Sequence, residues 1–394
     1  MSSSSPARER RGSVGSVQTR FFTFGGLDDP LVLRSGETLD EVTVAYETYG
    51  ALSEDRDNAV LVFHALTGSQ HAAGINREVP GAESRWTDEC VLGWWDPFIG
   101  PGKAIDTDRF FVVCANLLGG CYGSTGPTST DPATGRSYGG SFPSVAFCDM
   151  VDVQVRLLEH LGIDRLHAVM GGSIGGVMCL SLATRYPDRV DNVIPIAAGL
   201  RTTALQKIHN FEQIVAIESD PAFGGGDYSQ DNGPVDGLAL ARMIGHKTFV
   251  ALGAMEERAR HKVIDHEGPG SYSVDTPLES YMWHQGRKFV ERFDANSYLR
   301  IIEAWQTFDL VSEAGVRGFD ELFAGSAHQF YMVFSIDTDV CFYPDEQDDL
   351  VQAVKAGDAP HRRITVHSRN GHDAFLIEPD LFAPHLTATL TNAG

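Results

Sequence analysis

The sequence has few basic residues for its length. Thirty-one Lys and Arg stand against 53 Asp and Glu in 394 residues, so the formal net charge at pH 7 is -22. Proteins that bind nucleic acid need clustered Lys and Arg to neutralise phosphates, and this composition excludes a general nucleic-acid surface. An anionic substrate would have to meet a local basic site in an otherwise acidic protein.

Long apolar runs and paired cysteines are also missing. No stretch reaches the roughly 18 to 20 apolar residues that cross a membrane, and the Ser- and Arg-rich start lacks the hydrophobic segment of a signal peptide. We therefore expect a cytoplasmic protein without a membrane partner. The cysteines show no C-x-x-C pair and no metal-ligand spacing, which predicts buried thiols and no metal site. The six positions are Cys90, Cys114, Cys121, Cys148, Cys179 and Cys341.

The remaining composition is typical of a globular α/β protein, with 42% hydrophobic residues and 41 glycines. Residues 1–16 have almost no apolar side chains, which predicts a disordered tail. Alternating apolar and polar residues at Glu41–Tyr49 predict antiparallel strand structure at a sheet edge. The continuous apolar runs 59–63 and 110–114 predict strands that are buried on both faces, as in a parallel sheet.

The most informative stretch runs from Leu166 to Arg185. Its apolar start, Leu166 to Met170, predicts a buried strand, the two glycines that follow allow a sharp turn, and the spacing from Val177 to Arg185 is helical. Residues 171–175, Gly-Gly-Ser-Ile-Gly, match the G-x-S-x-G nucleophile elbow, in which a serine projects from a strained strand-to-helix turn. Ser173 is therefore the candidate nucleophile. The alternative is a glycine-rich connection with a solvated serine.

A serine nucleophile requires a histidine base and a carboxylate, which in this fold follow it in the order Asp or Glu, then His. Asp339 follows a predicted strand at 330–336, and His372 lies in the loop after a second one at 364–367. Both residues thus follow the carboxyl ends of strands, where a doubly wound sheet binds its ligands. Three other acids compete for the carboxylate role: Asp337, Asp345 and Asp373.

The loop 64–68, His-Ala-Leu-Thr-Gly, follows the first buried strand and contains a candidate oxyanion donor. In this fold one donor is the amide of the residue after the nucleophile, and the other comes from this loop. The backbone amides of Ile174 and Leu66 are the candidates. We interpret His64 as a structural histidine that orders the loop, with a catalytic role as the alternative. The glycine-rich loop 119–127 is a candidate pocket lining.

The segment 200–322 differs from the rest of the chain. It has no comparable strand run, and its pattern favours helices broken by loops, whereas strand character returns at 330–336. We therefore predict one α/β core made of residues 17–199 and 323–394, with a mostly parallel, doubly wound sheet. Residues 200–322 are predicted to form an inserted helical lid.

Six stretches form a longer pattern than the elbow alone. They are HALTG at 64–68, GWWD at 93–96, the run from IGPGK to GSTGP at 99–127, GGSIGG at 171–176, RFDANSY at 292–298 and GHDAFL at 371–376. Together they resemble the homoserine O-acetyltransferase family, over nearly all of the chain from about residue 20. The resemblance implies the α/β-hydrolase fold with a helical lid. It also suggests a homodimer, formed in part through that lid.

The resemblance further implies an activity. It implies transfer of an acetyl group from acetyl-CoA, a co-substrate and not a bound cofactor, to the hydroxyl of L-homoserine, which feeds methionine or cysteine synthesis. Arg242 matches the arginine expected to hold the substrate carboxylate, and Asp373 matches the acid expected to hold the substrate amine. Phe249 lies near the expected substrate site, where many members carry a tyrosine.

The missing hydroxyl at Phe249 bears on substrate identity and not on reaction type. Serine as acceptor and succinyl as the transferred group are alternatives on the same scaffold. A plain serine esterase would use the same triad on water, but it has no use for Arg242 paired with Asp373. A non-catalytic binding protein of this fold has no need of Ser, Asp and His in this order.

Overall fold

The computed structural model describes residues 12–229, 232–260 and 272–392. Most of the predicted tail, residues 1–11, lies outside the described residues. At its expected end the structure differs from the prediction, because Ser16 pairs with Ile75 and the Val17 amide donates to the Ile75 carbonyl at 2.9 Å. Val14 and Val17 pack against a buried apolar cluster, which holds this stretch on the core.

Ten strands lie in the described part of the chain. They are β1 (Arg20–Gly25), β2 (Leu31–Val32), β3 (Thr38–Leu39), β4 (Glu41–Tyr49), β5 (Ala59–Phe63), β6 (Phe111–Ala115), β7 (Leu166–Gly172), β8 (Val190–Ile196), β9 (Phe330–Ile336) and β10 (His361–Val366). Eight form one sheet in the order β1-β4-β6-β5-β7-β8-β9-β10, and β2 pairs with β3. β4 is antiparallel to both β1 and β6, whereas the six strands from β6 to β10 run parallel. The predicted mostly parallel sheet with an antiparallel edge is confirmed.

Eleven α-helices accompany the sheet within the described ranges. They are α1 (Phe147–His160), α2 (Ile174–Arg185), α3 (Ala204–Glu218), α4 (Val235–Phe249), α5 (Leu252–Ala259), α6 (Pro277–Arg292), α7 (Ala295–Thr307), α8 (Leu310–Ala314), α9 (Pro344–Ala356), α10 (Ala374–Ile377) and α11 (Pro379–Asn392). Helices α3 to α8 follow one another between β8 and β9. The described part of this segment is therefore mostly helical, and its action as a lid stays a prediction. No helix in the described ranges is long and apolar enough to cross a membrane.

Strand β5 shows how the sheet is buried on both faces. Successive side chains of a strand point to opposite faces, and here Leu61 and Phe63 join one apolar cluster while Val60 and Val62 join another. The first cluster includes residues of α1 and α2, and the second includes Phe382 of α11. Helices therefore cover both faces, which is the doubly wound arrangement. It leaves the carboxyl ends of the parallel strands as the edge where a site can form.

All six cysteines are free thiols, and five of them are buried. Burial raises the pKa of Cys121 and of Cys148 to about 12, because a thiolate loses its hydration in apolar surroundings. The predicted buried thiols are confirmed at every position except Cys90, which is partly exposed. Among the described residues, no group of three or more His, Cys, Asp or Glu could hold a metal ion.

Candidate active site

Ser173 lies in the turn between β7 and α2. Its backbone has φ 62° and ψ -132°, a conformation that residues with a side chain rarely adopt. The Ser173 amide donates to the Ile196 carbonyl of the neighbouring strand β8 at 2.9 Å, so the sheet holds the strained residue in place. Ser173 is only 5% exposed, and the alternative of a solvated serine is therefore wrong.

Two glycines of the elbow are required by close backbone contacts. A Cβ atom on Gly171 would lie 2.7 Å from the Phe63 carbonyl oxygen, and one on Gly175 would lie 2.4 Å from the same oxygen. Any side chain at either position would push β7 and α2 away from β5, which lies directly beside them. The spacing of the G-x-S-x-G motif is thus a packing requirement at this turn.

Asp339 is the acid that contacts His372. The Asp339 Oδ2 atom lies 2.7 Å from His372 Nδ1, and Oδ1 accepts from the amides of Cys341 and Phe342 at 2.7 and 2.9 Å. Asp337 instead lies 2.8 Å from Nδ1 of the exposed His367. Three hydrogen bonds therefore fix the Asp339 carboxylate. Asp345, another of the competing acids, is exposed in the first turn of α9.

His372 is buried among aromatic rings. Phe342 stacks on the imidazole and Phe375 meets it edge-on, each with 5.5 Å between ring centroids. Burial disfavours the imidazolium, but Asp339, with smaller contributions from Asp373 and Glu346, outweighs burial and raises the pKa of His372 above its ordinary value. His372 Nε2 has no hydrogen-bond partner among the described residues. The ring is thus held through Nδ1, and Nε2 is left available to accept a proton.

The two predicted oxyanion donors belong to buried residues on neighbouring elements. Ile174 is the first residue of α2, so its amide has no partner within the helix. Leu66 lies in the loop after β5, the strand that pairs with β7. In this loop His64 Nδ1 donates to the Ala65 carbonyl at 2.8 Å, and Nε2 accepts from the Leu117 amide at 3.2 Å. Burial lowers the pKa of His64 to about 4, so a neutral His64 orders the loop.

Arg242 and Asp373 bring two opposite charges close to His372. The Arg242 guanidinium, on α4, lies 5.4 Å from the centre of the Phe249 ring, which is 6.2 Å from the His372 ring. Asp373 follows His372; burial raises its pKa, although His372 and Arg242 oppose that rise. Within the described residues, no ion pair joins Arg242 to Asp373. The two groups are therefore not bonded to each other.

Two residues near this site escaped the sequence analysis. Burial raises the pKa of Glu346, beside Asp339, to about 7, and both of its carboxylate oxygens accept from the Gln206 side-chain amide at 3.2 Å. Arg292, the last residue of α6, contacts the loop that contains Leu66. Arg292 is the first residue of the stretch RFDANSY. Its place in that motif, without an assigned role, was the feature of the sequence that could have indicated a function for it.

Comparisons with known proteins agree with this geometry. A family model described as alpha/beta hydrolase fold matches residues 58–379. The homoserine O-acetyltransferase of Solidesulfovibrio magneticus is 44% identical over 368 residues, which are 93% of this chain and 90% of that protein.

Two crystal structures have the same fold over 95% of this chain. A homoserine O-acetyltransferase from Bacillus anthracis gives a TM-score of 0.83 at 28% identity, with 97% of that chain covered. Esterase E22 gives the same TM-score at 27% identity, with its whole chain covered. The sequence identity and the shared fold lead to one conclusion: the chain is an enzyme that belongs to the homoserine O-acetyltransferase family, within the α/β-hydrolase fold.

Proposed function

We propose that this enzyme moves an acetyl group from acetyl-CoA to the side-chain hydroxyl of L-homoserine through an acyl-Ser173 intermediate. The observation that supports this most is the pair of unmatched charges, Arg242 and Asp373, beside a histidine already held by Asp339. An α-amino acid offers one carboxylate and one ammonium group to such a pair. Two of the relatives named above, from Solidesulfovibrio magneticus and Bacillus anthracis, are named homoserine O-acetyltransferases.

In the first half-reaction His372 Nε2 takes the Ser173 proton as the hydroxyl attacks the thioester carbonyl. Asp339 stabilises the resulting imidazolium through Nδ1, and its carboxylate already raises the pKa of His372. The amides of Leu66 and Ile174 donate to the oxyanion. Coenzyme A leaves as the thiol after taking the proton from His372, and an acetyl-serine remains.

In the second half-reaction the amino acid enters the site that coenzyme A has left. Arg242 can grip its carboxylate with two parallel hydrogen bonds, and Asp373 can accept from its ammonium group. His372 then takes the proton of the side-chain hydroxyl, which attacks the acetyl-serine carbonyl. The ester bond to Ser173 breaks, His372 returns the proton to the Ser173 oxygen, and the O-acetyl amino acid is released. Each substrate charge has a partner, which offsets the cost of removing it from water. The product would feed methionine synthesis.

The assay that tests this proposal follows the thiol released from acetyl-CoA or succinyl-CoA, with homoserine or serine as acceptor. Homoserine with acetyl-CoA is expected to give the largest kcat/KM, and mass spectrometry should identify O-acetylhomoserine. Serine lacks one methylene, which is worth only about 1 to 3 kcal/mol, so it should react more slowly and still measurably. Thiol release that ignores both amino acids would contradict the proposal and favour hydrolysis, the alternative suggested by the likeness to esterase E22.

Arg242→Lys is expected to raise KM for homoserine about tenfold or more. Lysine keeps the positive charge but loses the forked pair of N–H donors that matches a carboxylate. Acetylation of Ser173 by acetyl-CoA should change less than twofold, because the amino acid is not present in that step. Steady-state kinetics and rapid-quench mass spectrometry measure the two quantities separately. If the variant lost acetylation and kept its homoserine affinity, Arg242 would serve coenzyme A instead.

We also propose a homodimer that forms through the lid segment. Helix α3 carries four exposed apolar side chains at helical spacing, with Phe211 the most exposed at 61%. The four residues are Leu205, Ile208, Phe211 and Val215. A second copy of the chain is the occupant that the family suggests for such a stripe, which would otherwise stay in contact with water.

The variant Phe211→Glu is expected to turn the dimer into a monomer, because it places a carboxylate at the centre of the apolar stripe. Light scattering should give twice the chain mass of 42.9 kDa for the native protein and a mass near 43 kDa for the variant. Val32→Glu is the matched control, since Val32 is an equally exposed apolar residue outside the lid segment. A native protein that is monomeric at micromolar concentration would reject the dimer.

A further inference from the structure

Arg292 connects the lid segment to the loop that contains Leu66. It is the last residue of α6, and its Nη1 atom donates to the Thr67 carbonyl at 3.0 Å across 225 positions of sequence. The same atom donates to the Tyr122 hydroxyl at 3.2 Å, and Tyr122 donates back to the Arg292 carbonyl at 2.6 Å. The Tyr122 hydroxyl therefore holds both the side chain and the backbone carbonyl of Arg292, and the Thr67 carbonyl holds the side chain as well.

Tyr122 gives this contact a rigid base. It comes from the glycine-rich loop 119–127, is almost fully buried, and meets the rings of Trp86 and Phe293 edge-on at 5.5 and 5.8 Å between centroids. Burial raises the pKa of Tyr122, so its phenol stays protonated and able to donate. The glycine-rich loop 119–127 is thus hydrogen-bonded to Arg292 through Tyr122.

The loop after β5 is held from two sides. On the core side His64 bonds to the Ala65 carbonyl and to the Leu117 amide, and the Gly68 amide donates to the Ala65 carbonyl at 2.9 Å. On the lid side, a single hydrogen bond joins the described residues to this loop, and it runs from Arg292 to the Thr67 carbonyl. Leu66, whose amide is the proposed oxyanion donor, lies between these two anchors.

Arg292 makes this contact without an acidic partner. In the described part of the chain it forms no ion pair, and its guanidinium lies 5.2 Å from the centre of the Phe289 ring. The guanidinium of Arg242 lies 5.0 Å from the centre of the same ring. A half-buried cation that gives its hydrogen bonds to a carbonyl and a phenol forms stronger bonds than a neutral donor would. Arg242, the proposed ligand of the amino-acid carboxylate, and Arg292 therefore both contact the Phe289 ring.

We infer that Arg292 is a positioning residue that holds the Leu66 amide in its donor orientation from the lid side, through the Thr67 carbonyl. The inference rests on the proposed function only in the role of Leu66 as oxyanion donor. Oxyanion stabilisation is needed for any acyl group that reaches Ser173. Arg292 would therefore serve acetylation and the later transfer equally, and it would not touch either substrate.

The test compares Arg292→Gln, Arg292→Lys and Tyr122→Phe with the native enzyme. Arg287→Gln is the control, because Arg287 is on the same helix and forms an exposed ion pair with Asp236. Three quantities are measured: the rate of acetylation by acetyl-CoA and by 4-nitrophenyl acetate, the dissociation constant of homoserine, and that of a small alkylboronic acid. The boronic acid adds to the serine hydroxyl and presents a tetrahedral, negatively charged group to the oxyanion donors.

Arg292→Gln is expected to slow acetylation by both donors about 10- to 100-fold, somewhat less than outright loss of a donor costs. The boronic acid should bind weaker by a similar factor, and the dissociation constant of homoserine should change less than twofold. Arg292→Lys should recover part of the rate, since an ammonium group can still donate to the Thr67 carbonyl. Tyr122→Phe keeps the packed ring and should show a smaller loss of the same kind, while Arg287→Gln stays at the native level.

Two results would overturn the inference. If Arg292→Gln weakened homoserine binding and left acetylation unchanged, Arg292 would be a substrate ligand. If the acetylation rate and the affinities for homoserine and for the boronic acid all fell together with the melting temperature, and neither Arg292→Lys nor Tyr122→Phe separated them, Arg292 would only maintain the fold. Failure of the proposed function gives a different result, because the native enzyme would then not acetylate homoserine. Acetylation of Ser173 by 4-nitrophenyl acetate would still show whether Arg292 affects the oxyanion donors.

Discussion

Replacing Ser173 with alanine is expected to reduce acetyl transfer at least a thousandfold and to leave the fold unchanged. Removal of a triad member usually costs several orders of magnitude in rate. Alanine keeps the Cβ atom of serine, so the substitution adds no backbone strain at φ 62°. The amide of residue 173 can still donate to the Ile196 carbonyl. The melting temperature should therefore match that of the native protein.

Intact-protein mass spectrometry gives a second measure of the same variant. The native enzyme should gain one acetyl group when acetyl-CoA is added alone, and Ser173→Ala should gain none. Ser181→Ala is a suitable control, since Ser181 lies on α2, the helix that follows Ser173, and donates to Glu313 instead of a triad residue. An alanine variant that kept a tenth of the native rate would exclude the acyl-serine mechanism.

Asp339→Asn is the second variant with a large expected effect, a loss of about 10³- to 10⁴-fold in kcat. The amide oxygen can still accept from the backbone at Cys341 and Phe342, so the loop should keep its shape. Its NH₂ group, however, would face His372 Nδ1 as a donor. The imidazole would then carry its proton on Nε2, where the mechanism needs a lone pair.

The pH dependence of this variant should also change in a defined direction. His372 acts as a base only when it is neutral, so activity falls as the pH drops below its pKa. Burial lowers that pKa, and Asp339, with smaller contributions from Asp373 and Glu346, raises it above the ordinary value. Without the carboxylate the effect of burial remains, and the acidic limb of the pH-rate profile should move to lower pH. An unchanged acidic limb would assign it to another group, such as Glu346, whose pKa is about 7.

Asp337→Asn is the control for Asp339→Asn. Asp337 also follows strand β9, two residues before Asp339, but it bonds to His367 and accepts from the Ser368 amide. Its replacement should leave both the rate and the pH profile at the native values. If Asp337→Asn caused the larger loss, the carboxylate assignment would be reversed.

Strands that are buried on both faces were predicted best from the sequence. The prediction at 59–63 matches β5, and that at 330–336 matches β9, because continuous apolar runs bounded by polar residues leave little choice. Strand β7 continues through Gly171 and Gly172, beyond its predicted end at Met170, since both glycines still pair with β8. Helix α2 begins at Ile174 instead of Val177, because the glycines that hide its first turn are required by packing.

Local pattern was less informative about the site. Chain order and strand ends singled out Asp339 and His372, but four acids satisfied the same rule, and only the contact at 2.7 Å distinguishes Asp339. The bond from Arg292 to Thr67 joins residues 225 positions apart. Neither hydrophobic periodicity nor a motif encodes such a pairing, since it depends on where the packing of α6 against α4 and α5 places its last residue.

The state of the cysteines decides how such kinetics can be recorded. Coenzyme A release can be followed continuously with a coloured disulfide reagent, which reacts with thiolates and hardly at all with buried thiols of raised pKa. The folded enzyme offers that reagent only the partly exposed Cys90, whereas the unfolded chain offers all six thiols. The background colour of each variant thus reports whether it is folded, in the same cuvette that reports its turnover.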